Sequence, residues 1–114
     1  GREKKMIFLT AKTASISDNS SGGFYINRSA RTALNQSVKS LSIDLKEDKI
    51  SVAVISPGWV ATDSGGVGMA NESKRPKAMI DPMESVSGMI GVIDQFGFER
   101  TGLFIDYKGN IIPW

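Results

Sequence analysis

Residues 50–58, ISVAVISPG, form the stretch of sequence that decides how the rest of the chain folds. The run ISVAVI is almost wholly apolar and rich in β-branched residues, which is typical of a strand buried on both faces of a parallel sheet. Pro57 and Gly58 end this strand, because Pro disfavours helix in the residue before it and Gly permits a sharp turn. A strand of this kind needs helices above and below it, so the flanking segments must supply them.

The segment before this strand has the periodicity of a helix. Its apolar residues recur at helical spacing and form one stripe: Ala30, Ala33, Leu34, Val38, Leu41 and Leu45. This spacing predicts a helix over residues 29–45 with one buried face. Before that helix, residues 10–23 are rich in Ser, Thr, Asn and Gly and predict a loop. The apolar run MIFL at residues 6–9 predicts another buried strand.

A second helix is predicted to begin at Asp81. Three signals agree there: Asp81 is an N-cap acceptor, Pro82 takes the first helical position, and Glu84 follows the cap by three residues. Apolar residues continue this helix on one face to about residue 93. Gly88 and Gly91 inside the helix each cost about 1 kcal/mol relative to Ala, which predicts a close approach of another backbone at both positions.

Two remaining segments complete the order of elements. Residues 62–80 are Gly-rich and polar without periodicity, which predicts a functional lid or a mobile tract. TGLFIDYKG, residues 101–109, predicts a third strand. The order strand, helix, strand, helix, strand predicts an α/β fold, a partial Rossmann-type parallel sheet of about three strands with two main helices.

Composition narrows the classes of function. The 114 residues have a net charge of +2, with Lys and Arg scattered among 12 carboxylates, which argues against nucleic-acid binding, and no apolar run is long enough for a membrane span. The sequence has no Cys and no His, so it excludes thiolate nucleophiles and imidazole bases and indicates no metal site. No apolar segment of signal-peptide length follows GREKK, residues 1–5, so we expect a cytoplasmic or organelle-matrix protein.

Three stretches resemble the short-chain dehydrogenase/reductase family, and more narrowly its carbonyl-reductase-like branch, which includes the C-factor and sniffer proteins. They are TAKTASISDNSSGGFYINRSARTALNQSVKSLSIDL at 10–45, SVAVISPGWVATDSGG at 51–66 and GLFIDYKGNIIPW at 102–114. The resemblance implies that residues 1–114 are a single partial domain, the C-terminal half of a doubly wound fold. It also implies that residues 62–80 are a remnant of the family's substrate loop.

The resemblance also assigns the family's catalytic positions. In that family a Tyr at the helix start transfers a proton, a Lys four residues later lowers the pKa of its phenol and holds the cofactor ribose, and a Ser orients the carbonyl. Aligning on the family's Ala-Leu-Asn landmark, residues 33–35, puts Asn27 at the Tyr position and Arg31 at the Lys position, and aligning through the loop SISDN, residues 15–19, puts Ala11 at the Ser position. None of the three catalytic residues is therefore intact. The Asn27 amide has no titratable proton, Ala11 has no hydroxyl, and Arg31 has a planar guanidinium in place of the Lys ammonium.

Two residues near the helix start have alternative interpretations. Asn27 is expected to cap the helix, since Asn is among the best N-cap residues. Tyr25 is a candidate displaced acid, but the residue four positions on is Ser29, so we favour an aromatic ring packed against the loop beside Phe24. On this basis we expect a catalytically impaired protein that acts by binding or assembly. The alternative is an NAD(P)-dependent carbonyl reductase that is active in its complete form.

The resemblance further implies a cofactor and partners. Pro57, Gly58, Val60 and Thr62 match the strand-end motif that contacts the nicotinamide, so NAD or NADP is the implied cofactor; a plain turn is the alternative. The Gly-rich turn that holds the cofactor pyrophosphate is absent from this sequence, which argues against cofactor binding without an N-terminal half. The implied partners are a missing N-terminal half, or another protein chain, along residues 6–9, and a second subunit packed against the helix at residues 29–45.

Overall fold

The order of elements is the one that the sequence predicts. A computed structural model describes residues 3–61 and 79–114. Its helices and strands are β1 (Lys4–Leu9), α1 (Tyr25–Asp44), β2 (Ile50–Ser56), α2 (Pro82–Gln95) and β3 (Leu103–Asp106), with short 3-10 turns at Lys12–Ala14 and Phe98–Arg100. The predicted loop at residues 62–80 lies outside the described residues except for its last two positions.

The three strands form one parallel sheet in the order β1, β2, β3. Leu9 at the end of β1 is opposite Ile55, and Ala53 in β2 is opposite Leu103 in β3. Residues 51–56 of the central strand are all buried, as the apolar run predicts. β1 is an edge strand among the described residues, and its Leu9 side chain is 60% exposed.

The two helices cover opposite faces of the sheet. Strand side chains alternate between faces, so two separate apolar clusters form. On the α1 side the cluster contains Ala14, Val38, Val52, Val54, Phe104 and Ile112. On the other side it contains Ala53, Ile55, Phe96 and Ile105, with Met89 and Val92 of α2 packed against it. Lys5 of β1 also donates from Nζ to the carbonyl of Ile93, 2.9 Å away, which ties the end of α2 to the edge strand.

α1 begins at Tyr25, four residues before the predicted start, and the prediction that Asn27 caps it is wrong. The N-cap is Phe24, which has φ of 50° and no side-chain capping bond. Arg28 explains this start, because its guanidinium reaches back to the carbonyls of Gly22 and Gly23 at 3.2 and 3.1 Å. The turn before the helix is thus held by a side chain from within it, which bonds to carbonyls and does not cap the first N–H groups of the helix.

α2 begins as predicted. Asp81 accepts a hydrogen bond from the backbone N–H of Met83 at 2.8 Å, and Pro82 is the first helical residue. A Cβ on Gly88 would lie 2.5 Å from the carbonyl oxygen of Tyr107, so the predicted close approach is confirmed there. The same prediction is wrong for Gly91, which has no described atom within 4 Å of that position. Neither helix within residues 3–61 and 79–114 is long and apolar enough to cross a membrane.

Candidate functional site

The carboxyl ends of β1 and β2 lie side by side at one edge of the sheet, and we call the space beyond this edge the crevice. The backbone N–H of Thr10 donates to the carbonyl of Ile55 at 3.0 Å, so the two strands stay paired to their last residues. β1 then continues into Ala11 and β2 into Pro57. Crevices at this edge of a parallel α/β sheet are the general place for ligands.

Two threonine hydroxyls join the loop after β1 to α1 by hydrogen bonds. The Thr13 hydroxyl donates to Oδ1 of Asn27 at 3.0 Å, and the Thr32 hydroxyl donates to the carbonyl of Ala14 at 2.8 Å. The N–H of Ala14 in turn donates to the carbonyl of Ala11 at 2.9 Å. The structure therefore brings the loop that contains Ala11 to the helix position of Asn27.

Asn27 and Arg31 extend the buried face of α1 beyond the sheet. Asn35, Val38 and Ser42 lie on this face and are buried. Residues four apart share a helix face, so Arg31 and Asn27 continue it toward the crevice. Asn27 is exposed and Arg31 is half-buried. Within the part of the chain that the structure describes, Arg31 makes no hydrogen bond and no ion pair.

The interpretation of Tyr25 as a packed ring is wrong. Its side chain is 83% exposed, and that of Phe24 is 73% exposed. Arg28, the nearest cation along the helix, is turned to the loop carbonyls and to the Ser21 hydroxyl, 3.1 Å away. No described residue bonds to the Tyr25 hydroxyl, and its role as a displaced acid stays a prediction.

The turn after β2 forms the other wall of the crevice and is held from three sides. The Ser85 hydroxyl of α2 donates to the carbonyl of Pro57 at 2.6 Å. Gly58 has φ of 82°, and a Cβ there would lie 2.9 Å from Cδ1 of Ile80 and 3.0 Å from Cε1 of Tyr107. Only Gly adopts this conformation easily, and only Gly fits this space.

Val60 carries the peptide groups that suit a cofactor. It pairs with Ile80 through two bonds made by its neighbours: the N–H of Ala61 donates to the Ile80 carbonyl at 2.9 Å, and the N–H of Ile80 donates to the Trp59 carbonyl at 2.8 Å. Among the described residues the N–H and C=O of Val60 make no hydrogen bond. A free donor beside a free acceptor fits a carboxamide, the polar group of nicotinamide. Thr62, the fourth predicted contact, lies outside the described residues.

The C-terminal tail supports the same loop, which the sequence does not reveal. The Ser15 hydroxyl donates to the carbonyl of Pro113, and the N–H of Ile16 donates to the carbonyl of Trp114 at 2.6 Å. The Trp114 ring lies 5.5 Å from that of Phe104, between centroids. Thr13, Ser15, Thr32 and Ser85 are thus positioning residues that sequence reasoning missed. The sequence marks them only as small hydroxyl residues near the strand ends.

The described residues contain no group of three or more acidic side chains able to hold a metal ion. What they do contain is a parallel sheet with one helix layer on each face and a crevice at the carboxyl ends of its strands. On one side of this crevice lies an i, i+4 side-chain pair of α1, and on the other lies the Gly58 turn followed by Val60, whose peptide groups bond to no described residue. This arrangement is part of a Rossmann-type α/β fold.

Comparisons with family models and with curated proteins show which proteins the chain is similar to. No family model matches the chain. C-signal of Myxococcus xanthus is 36% identical over 114 residues, which are 100% of this chain and 63% of that protein. The 1-hydroxy-2-glutathionyl-2-methyl-3-butene dehydrogenase of Rhodococcus sp. (strain AD45) is 31% identical over 96% of this chain and 46% of its own length.

Solved structures agree with these relatives. The carbonyl reductase Sniffer of D. melanogaster superimposes with a TM-score of 0.83 at 33% identity, over 96% of this chain and 41% of that one. The NADPH-bound carbonyl reductase from chicken fatty liver superimposes with a TM-score of 0.85 at 27% identity, over 96% of this chain and 42% of that one. Along nearly its whole length the chain is similar to oxidoreductases of the short-chain dehydrogenase/reductase type, and it spans about half the length of these relatives.

Proposed function

We propose that this chain is the substrate-facing part of a short-chain dehydrogenase/reductase-like protein that binds its ligands but is impaired in the family's hydride chemistry. One observation carries the proposal. The position that the alignment gives to the proton-donating Tyr holds the Asn27 amide, and Thr13 donates a hydrogen bond to that amide at 3.0 Å. The Thr13 hydroxyl therefore donates its hydrogen bond to an amide, and an amide cannot transfer a proton.

The expected loss of rate follows from the chemistry of the three aligned side chains. A positioned general acid contributes about 10²- to 10⁴-fold, and Asn27 cannot replace it. Ala11 offers no hydroxyl to orient a carbonyl. Arg31 keeps the positive charge of the aligned Lys, so ligand binding is expected to survive better than turnover.

NAD or NADP is the proposed cofactor. The N–H and C=O of Val60, to which no described residue bonds, would hold the carboxamide. When bound, the cofactor supplies the hydride. The printed names of similar structures, which include an NADPH-bound carbonyl reductase, support this choice. Because this sequence has no Gly-rich pyrophosphate turn, we expect tight binding only when a further segment provides one.

The proposed partner is a polypeptide that adds a parallel strand to the outer edge of β1. It would be an N-terminal half of the same fold or another protein chain. The N–H of Thr10 points to β2, so the alternation of a parallel ladder turns the peptide groups of Lys5, Ile7 and Leu9 outward. A second contact is proposed on α1, where Ala30, Ala33 and Leu34 are exposed and would pack against another subunit.

Hydrogen exchange tests the partner. The full chain is measured alone and after mixing with the part of C-signal that the match does not cover, supplied as a separate polypeptide. We expect the amides of Lys5, Ile7 and Leu9 to exchange fast alone and slowly in the mixture, while those of Met6 and Phe8 are protected in both. Unchanged exchange of the three outer amides would show that this edge does not receive that strand.

An NADPH assay with benzaldehyde as the carbonyl tests the impairment. We expect the mixture to bind NADPH without oxidising it above the rate measured without protein. The competing function is a working NAD(P)-dependent carbonyl reductase, which the likeness to Sniffer at a TM-score of 0.83 favours. Turnover that Tyr25→Phe abolishes would establish that alternative, with Tyr25 as the acid.

A further inference from the structure

We propose that Asn27 and Arg31 form a binding site for a carboxylate, at the point where the family's enzymes place a carbonyl. This inference rests on the proposed function, because it names the ligand class of the same crevice. The two residues lie one turn apart on the face of α1 that continues past the sheet. Neither side chain can release a proton at neutral pH, and both can donate hydrogen bonds.

The Thr13 bond occupies one end of the Asn27 amide. Oδ1 accepts the Thr13 hydroxyl at 3.0 Å, so the acceptor end of the amide is occupied. Nδ2, at the other end, has no partner among the described residues and keeps two N–H groups for a ligand. The exposed end of Asn27 is therefore a hydrogen-bond donor, which selects an acceptor such as a carboxylate oxygen.

Arg31, one helical turn from this donor, adds a positive charge that no described residue pairs. It is half-buried and makes no ion pair with a described residue. The first turn of α1 contains no acidic residue, and Asp18 in the preceding loop is paired with Lys12 at 3.2 Å. A guanidinium presents parallel N–H groups that match the two oxygens of a carboxylate. The local charge balance thus leaves room for one anion.

The same groups discriminate against a neutral carbonyl. A ketone or aldehyde offers one uncharged oxygen, and Ala11 provides no hydroxyl to hold it. Hydrogen bonds between ionised partners are about twice as strong as those between neutral groups. We therefore expect the chain to bind an aromatic carboxylate about tenfold or more tightly than the aldehyde of the same shape.

Benzoate and benzaldehyde are the matched probes. Each is titrated into the full chain while the side-chain amide resonance of Asn27 is followed by NMR. We expect benzoate to shift this resonance and to bind about tenfold or more tightly than benzaldehyde. Arg31→Gln should lower benzoate affinity about tenfold. Asn27→Asp should abolish binding, because it still accepts from Thr13 but turns a negative charge to the ligand.

Lys46→Gln is the control variant, since it removes the same charge at an exposed position beyond the other end of α1. It should bind benzoate as the parent chain does. Equal affinity for the two probes, no shift with benzoate, or equal losses in Arg31→Gln and Lys46→Gln would each overturn the carboxylate site. Oxidation of NADPH by benzaldehyde would instead refute the proposed function, so the two failures are distinguishable.

Discussion

Gly88→Ala and Gly91→Ala make the same chemical change one turn apart on α2, and we expect them to alter stability in opposite directions. At Gly91 the new Cβ meets no described atom within 4 Å. The only effect expected is the helix propensity of Ala, which adds up to about 1 kcal/mol to the free energy of unfolding.

At Gly88 the Cβ would lie 2.5 Å from the Tyr107 carbonyl oxygen and 3.0 Å from its Cδ2. The backbone of Tyr107 must move, and overpacking of this kind costs about 1–3 kcal/mol. The cost exceeds the gain in propensity, so we expect Gly88→Ala to be less stable than the parent chain. The gain in propensity is common to both variants, so they should differ by the overpacking cost of about 1–3 kcal/mol.

Urea denaturation followed by circular dichroism measures this difference. A change of 1 kcal/mol also moves the melting temperature of a small domain by about 4–8 °C, so thermal unfolding gives a second reading. The displacement should reach the crevice as well, because the Tyr107 ring lies against Gly58. Equal stability of Gly88→Ala and Gly91→Ala would contradict the close approach of α2 to the segment after β3.

Two further predictions follow from the helix cap and from the crevice. Asp81→Ala removes the acceptor for the N–H of Met83 and should lower the free energy of unfolding by about 1 kcal/mol in the same denaturation experiment, and an equally stable variant would contradict a capping role. The triple variant Ala11→Ser, Asn27→Tyr, Arg31→Lys restores the aligned catalytic groups. In the mixture with the separate C-signal polypeptide, it should raise the rate of benzaldehyde reduction by NADPH about 10²-fold or more. An unchanged rate would refute the assignment of these three residues to the family's catalytic positions.

The order of elements is predictable because it depends on local patterns. The apolar run at Ile50–Ser56 and the cap at Asp81 specify their own structure whatever lies around them. The crevice is predictable for a similar reason, since parallel strands bring their carboxyl ends to one edge. Pro57 and Ala11 therefore meet at that edge without any knowledge of the loops.

The start of α1 could not be predicted in this way. Phe24 occupies a left-handed conformation that non-glycine residues rarely adopt, and the side chain of Arg28 holds the turn by reaching backward. The clamps made by Thr13 and Thr32 likewise depend on the path of a loop that has no periodicity. At Gly91 the sequence predicts a contact that the structure does not have, because a glycine in a helix does not always mark a close neighbour.

The polar face of α1 argues for a binding site over a purely structural helix. Below Arg31 this face continues to Asn35, which is 2% exposed and makes no hydrogen bond from either end of its amide to a described residue. The Thr10 hydroxyl at the floor of the crevice is also buried and unbonded within residues 3–61 and 79–114. Each such group costs about 1–3 kcal/mol, whereas an apolar residue in its place would stabilise the contact with the sheet. A helix shaped only by packing against the described residues would be apolar here, so we expect a group outside these residues to contact the polar side chains of this face.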